Sequence, residues 1–62
     1  MIRLEGEVTG IACPPNKADQ LRVVTAWMPE TQEHVEFTVL LSDFQKSELR
    51  EGNKIQISIN KV

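Results

Sequence analysis

Side chains able to do chemistry are scarce in this chain. It has one cysteine, one histidine and no tyrosine. A lone Cys13 excludes an intrachain disulfide. A secreted domain of 62 residues would normally carry several such bonds, so a reducing, cytoplasmic setting is expected. Cys13 itself reads as an inert small residue. Long apolar runs are also missing. The longest uncharged one, Val39-Leu40-Leu41, is far too short to span a bilayer, and no membrane partner is expected. The start, Met1-Ile2-Arg3-Leu4-Glu5, turns charged at once and carries no apolar signal region.

Catalytic and metal-binding patterns are missing as well. No Gly-rich phosphate loop, nucleophile elbow or HExxH occurs. Cys13, Asp19, His34 and Asp43 are potential ligands, yet they lack the paired spacing of a zinc site. In a strand, Glu36 would share a face with His34 and could hydrogen-bond its imidazole. No nucleophile stands beside that pair, and an exposed histidine on a hairpin is the simpler reading. Glu5 and Glu7 share a strand face and read as a solvated edge. The expectation is a non-enzymatic protein with no cofactor and no metal.

A formal net charge of −2 offers no global attraction to nucleic acid or anionic lipid. The charge is uneven, however. Residues 21–40 set Arg22 against Glu30, Glu33 and Glu36. Residues 41–62 set Lys46, Arg50, Lys54 and Lys61 against Asp43, Glu48 and Glu51. The middle is acidic and the C-terminal third mildly basic.

What the chain does have is alternation. Ile55, Ile57 and Ile59 alternate with Gln56, Ser58 and Asn60, which predicts a strand buried on one side and wet on the other. Residues 2–13 begin in the same way. Ile2, Leu4 and Val8 take one parity, and Arg3, Glu5, Glu7 and Thr9 the other. Gly6 and Gly10 predict a bulge, a bend or a close backbone approach. After Gly10 the apolar parity switches to Ile11, as one extra residue in a bulge would cause. Residues 13–20, with Pro14-Pro15, read as a loop. Residues 21–28 and 34–41 read as two strands of a hairpin joined by a turn at 29–33. Ser42-Asp43-Phe44-Gln45 matches a capping box, which predicts a helix from 43 to about 50, capped by Ser42 and ended at Gly52.

The order strand, strand, strand, short helix, strand resembles two small barrels. An OB-fold has its helix between the third and fourth strands. An SH3-like barrel has a short helical turn before its last strand. The run from Ser42 through Leu49, Gly52 and Lys54 to Ile57 resembles the ending of such barrels. Room for the usual final OB strand is lacking. The expected fold is therefore mostly β: one small domain over residues 1–62, an SH3-like or truncated OB-like β-barrel with one short helix before the last strand. In length the chain also resembles accessory proteins of phage and mobile elements.

These resemblances imply a binding module. With Leu21, Val23, Thr25 and Trp27 inward, the outer face of the hairpin would carry Val24, Ala26 and Met28, with Leu40 facing them. An apolar outer face of that kind marks an association surface, with self or another protein as partner. The same run would also suit a second strand buried on both faces. With the parity reversed, Trp27 is exposed and becomes the anchor for a partner. The alternative function is single-stranded nucleic-acid binding through Arg22, Lys46, Arg50, Lys54 and Lys61, which needs those cations on one side with a stacking aromatic.

Overall fold

The long first strand organises the molecule. The computed structural model describes residues 1–62, with β1 (Ile2–Ala12), β2 (Leu21–Met28), β3 (Glu33–Leu40), α1 (Leu41–Ser47) and β4 (Lys54–Ile59). The strands form one antiparallel sheet in the order β3-β2-β1-β4. β1 divides its pairing between two neighbours. Its residues 2–7 pair with β4, and its residues 7–12 pair with β2. No ladder joins β3 to β4, so the sheet has two open edges. The protein is thus mostly β with one short helix. No helix is long and apolar enough to cross a membrane.

Two features of β1 let one strand serve two partners. The register with β2 shifts between Val8 and Gly10, leaving Thr9 as the extra residue. That bulge carries the apolar parity from Val8, opposite Ala26, to Ile11, opposite Val24. Gly6 supplies the second feature. A Cβ there would lie 2.5 Å from Met28 Sδ and 2.8 Å from the carbonyl oxygen of Trp27. Only glycine lets the end of β2 approach β1 so closely.

The helix corrects two expectations. α1 begins at Leu41, with extended Leu40 in the cap position and no side-chain cap. Its first amide is held from outside the helix, where Leu41 N–H donates to the carbonyl of Gln20 at 2.8 Å. Ser42 therefore lies inside the first turn and cannot cap it. The C-terminal end comes at Glu48, which takes the left-handed conformation at φ 54°. Ser47 supports this end, its hydroxyl donating to the Phe44 carbonyl at 2.7 Å and accepting from Leu49 N–H at 3.2 Å. Gly52, at φ 91°, does not end the helix. It shapes the turn into β4, where its N–H donates to the Val8 carbonyl at 2.7 Å.

The interior is small. Val8, Val24, Ala26 and Met28, with Gly6, are the buried residues, and all lie on β1 and β2. This corrects the inward set expected for β2. Val24, Ala26 and Met28 face the core and form no outer surface. The reason is register. Val24 pairs with Phe37 and Ala26 with Val35, so even positions of β2 share a face with odd positions of β3. Leu40 pairs with Leu21 on the opposite face and is 57% exposed. It therefore does not face Val24, Ala26 and Met28.

Candidate functional site

The residues that share the core face with Val24 continue out to both edges of the sheet. On β3 they are Val35, Phe37 and Val39. On β4 they are Ile55, Ile57 and Ile59, opposite Gly6, Leu4 and Ile2. In a closed sheet these side chains would meet. Here Phe37 and Val39 on one side and Ile55 and Ile57 on the other line an open groove of about 440 Å³ between the two edges. Val24, Phe37, Val39, Leu49, Ile55 and Ile57 form its apolar walls, with Thr38 and Gln56 beside them. Leu49 comes from the segment after α1, so the helix end closes one side of the groove.

Chemically, the groove combines two features. Its apolar walls are half-buried, except for the buried Val24 at its floor. Its flanking strands each have a neighbour on one side only, and an edge strand presents backbone N–H and C=O groups to any further strand. The edges also differ in charge. β3 carries Glu33 and Glu36 and no basic residue except His34. β4 carries Lys54 and no acid, and Lys61 follows it. Such a site can hold an extended apolar–polar alternating segment.

The opposite face of the sheet holds the one aromatic pair. Trp27 stands across from His34, with ring centroids 4.8 Å apart and a tilt of 52°. The parity of β2 is the reversed one weighed in the sequence, but Trp27 is half-buried rather than exposed. Its surroundings are acidic and proline-bounded. Glu5, Glu7, Pro29 and Lys54 line a shallow cleft beside it. Lys54 is 3.8 Å from Glu7 across the β1–β4 ladder. His34 is exposed, as is the free thiol of Cys13. No three of the His, Cys, Asp and Glu side chains gather into a metal-binding group.

The cationic residues lie on separate elements. Arg22, at the start of β2, donates to the carbonyl of Ala18 and, at 2.8 Å, to that of Leu21. Lys46 is on α1, and Arg50 opens the turn closed by its N–H to Asn53 Oδ1 at 2.8 Å. Lys54 begins β4, and Lys61 follows its other end, roughly 20 Å further along extended chain.

In the sequence Ile55 and Ile57 read as the buried side of a strand, Phe37 and Val39 only as part of the second hairpin strand, and Leu49 only as part of the barrel-like ending. Their alternation was visible, but alternation alone does not say which strands end at an edge. No protein-family model matches the chain, and neither a curated protein nor a solved structure shows significant similarity to it.

Proposed function

We propose that this chain is a non-enzymatic protein-interaction module, built as an incomplete β-barrel of the SH3-like or truncated OB-like kind, that acts by accepting a further β-strand. The supporting observation is the apolar groove whose walls are Phe37, Val39, Ile55 and Ile57 and whose flanks are two unpaired strand edges. A strand laid there would gain ladder hydrogen bonds from an edge and bury its alternate side chains against the walls. Burial of that kind is also what a small domain with five buried residues needs for stability.

The test is fluorescence anisotropy with a labelled nine-residue peptide of alternating valine and threonine, unrelated to this sequence. Saturable binding is expected, and loss of it when the peptide's backbone nitrogens are methylated. A labelled single-stranded oligonucleotide serves as the counter-probe. Steep, salt-sensitive binding of the oligonucleotide with no binding of the peptide would replace this reading by the nucleic-acid one.

A further inference from the structure

We infer that the strand received by the groove edge is β4 of a second copy of this chain. In this dimer β3 of each protomer pairs with β4 of its partner, and the two open sheets become one closed sheet of eight strands. The inference rests on the strand-accepting role proposed above and names its occupant. Three features of the molecule lead to it.

The first is direction. β1 is antiparallel to β2 and to β4, and β2 is antiparallel to β3. β3 and β4 therefore run in opposite senses. A two-fold axis along the barrel axis preserves strand sense. It would make both new seams antiparallel, like every other ladder in the sheet.

The second is register. Apart from Leu40, the apolar residues of both edges sit at odd positions, so odd must pair with odd to keep them inside. Setting Phe37 opposite the partner's Ile57 also sets Val35 opposite Ile59 and Val39 opposite Ile55. All six apolar residues are matched. A slide of two residues one way puts Glu33 opposite Ile59 and Val39 opposite Asn53. A slide the other way puts Val35 opposite Lys61. The matched register also covers Ile59, which is 53% exposed in the single chain.

The third is charge. In the matched register, Glu33 faces Lys61 of the other copy once the ladder extends two residues past Ile59. Pairing two copies of β3 about Phe37 would instead set Glu36 diagonal to Glu36. Pairing two copies of β4 about Ile57 would set Lys54 opposite Asn60 and Lys61 opposite Asn53, so neither lysine would meet an acid across the seam. Of the three seams, only the mixed one sets an acid opposite a base, Glu33 against Lys61, which selects it over either like-with-like seam.

Sedimentation equilibrium across the micromolar range tests the dimer. A monomer–dimer equilibrium is expected for the parent chain. Ile59→Lys should leave a folded monomer by circular dichroism and remove the dimer. Glu33→Lys alone and Lys61→Glu alone should each weaken the dimer roughly tenfold, since two seams are affected. The doubly exchanged chain, Glu33→Lys with Lys61→Glu, should recover the parent affinity. A monomer throughout the range overturns the inference, and so does a ladder of larger species. A dimer indifferent to the charge exchange and to Ile59→Lys overturns it too. A monomeric parent that still binds the valine–threonine peptide would remove only the second copy as occupant. A monomer that binds neither would remove the strand-accepting role itself.

Discussion

The centre and the edges of this sheet are written in the same pattern but have different fates. β1 and β2 hold every buried residue. β3 and β4 alternate as cleanly, yet their valines, phenylalanine and isoleucines are half-buried or exposed. Neighbours make the difference. A central strand has side chains on both flanks to shield its own, whereas an edge strand has them on one. Alternation records which face of a strand is apolar. It does not record how much of that face is covered. The groove lies where the pattern of burial is incomplete, and there the molecule has apolar surface left to offer.

Substitutions at the centre and at the edge should separate these two environments. The largest effect is expected at Gly6. An added methyl would press on Met28 Sδ and on the rigid Trp27 carbonyl, and Gly6→Ala should cost about 3 kcal/mol or more. Gly10→Ala is the control. Its Cβ would meet Thr25 at an ordinary 3.7 Å, so urea denaturation should show little change. Equal midpoints for the two variants would break the claim that the β1–β2 contact is tight only at Gly6.

Truncation of apolar side chains comes next. Met28, 1% exposed, should cost ~2–5 kcal/mol as Met28→Ala. Ile57 is only half-buried, and Ile57→Ala should cost about half as much in dilute solution. If the edges meet across two copies, the cost of Ile57→Ala should grow as protein concentration rises, while that of Met28→Ala should not. Measuring both unfolding transitions at low and high concentration would sharpen the comparison. An equal concentration dependence would erase it.

Smaller effects belong to the connection between β3 and β4. Gly52 has room for a methyl but sits at φ 91°, so Gly52→Ala should cost about 1 kcal/mol through backbone strain alone. Ser42→Ala should be nearly silent, within ~0.5 kcal/mol, because no side chain caps α1. A loss of about 1 kcal/mol at Ser42 would reinstate the capping box. Least of all, Lys54→Ala should change stability by a few tenths of a kcal/mol, and less in high salt. Its partner Glu7 is 3.8 Å away, and the lysine side chain is 87% exposed.

Much of the fold was legible along the chain. Alternation located the strands to within a residue or so, because side chains on a strand must point to opposite faces. The parity switch after Gly10 foretold the bulge, which the structure places at Thr9. Helix boundaries were less legible. The capping-box spacing at Ser42 is a local signal, and it was overridden by a distant one, the hydrogen bond from Leu41 to Gln20. The candidate site was hardest to read. Phe37 and Ile57 lie far apart in sequence, and nothing in either segment announces that the ladder between them is missing.

The sequence by itself determined the mostly β character, the strand positions and a short helix before the last strand, because these follow from side-chain periodicity and turn-forming residues. It also separated an acidic middle from a basic end. Only the tertiary structure decided which face of β2 is inside. Leu21, Val23 and Trp27 on one parity are as apolar as Val24, Ala26 and Met28 on the other, so hydrophobicity cannot choose between them. The choice is made by the bulge at Thr9, the close approach at Gly6 and the pairing of Val24 with Phe37. The open seam between β3 and β4 was decided in the same way, since whether two edges meet depends on how the whole sheet curls and not on the residues of either strand.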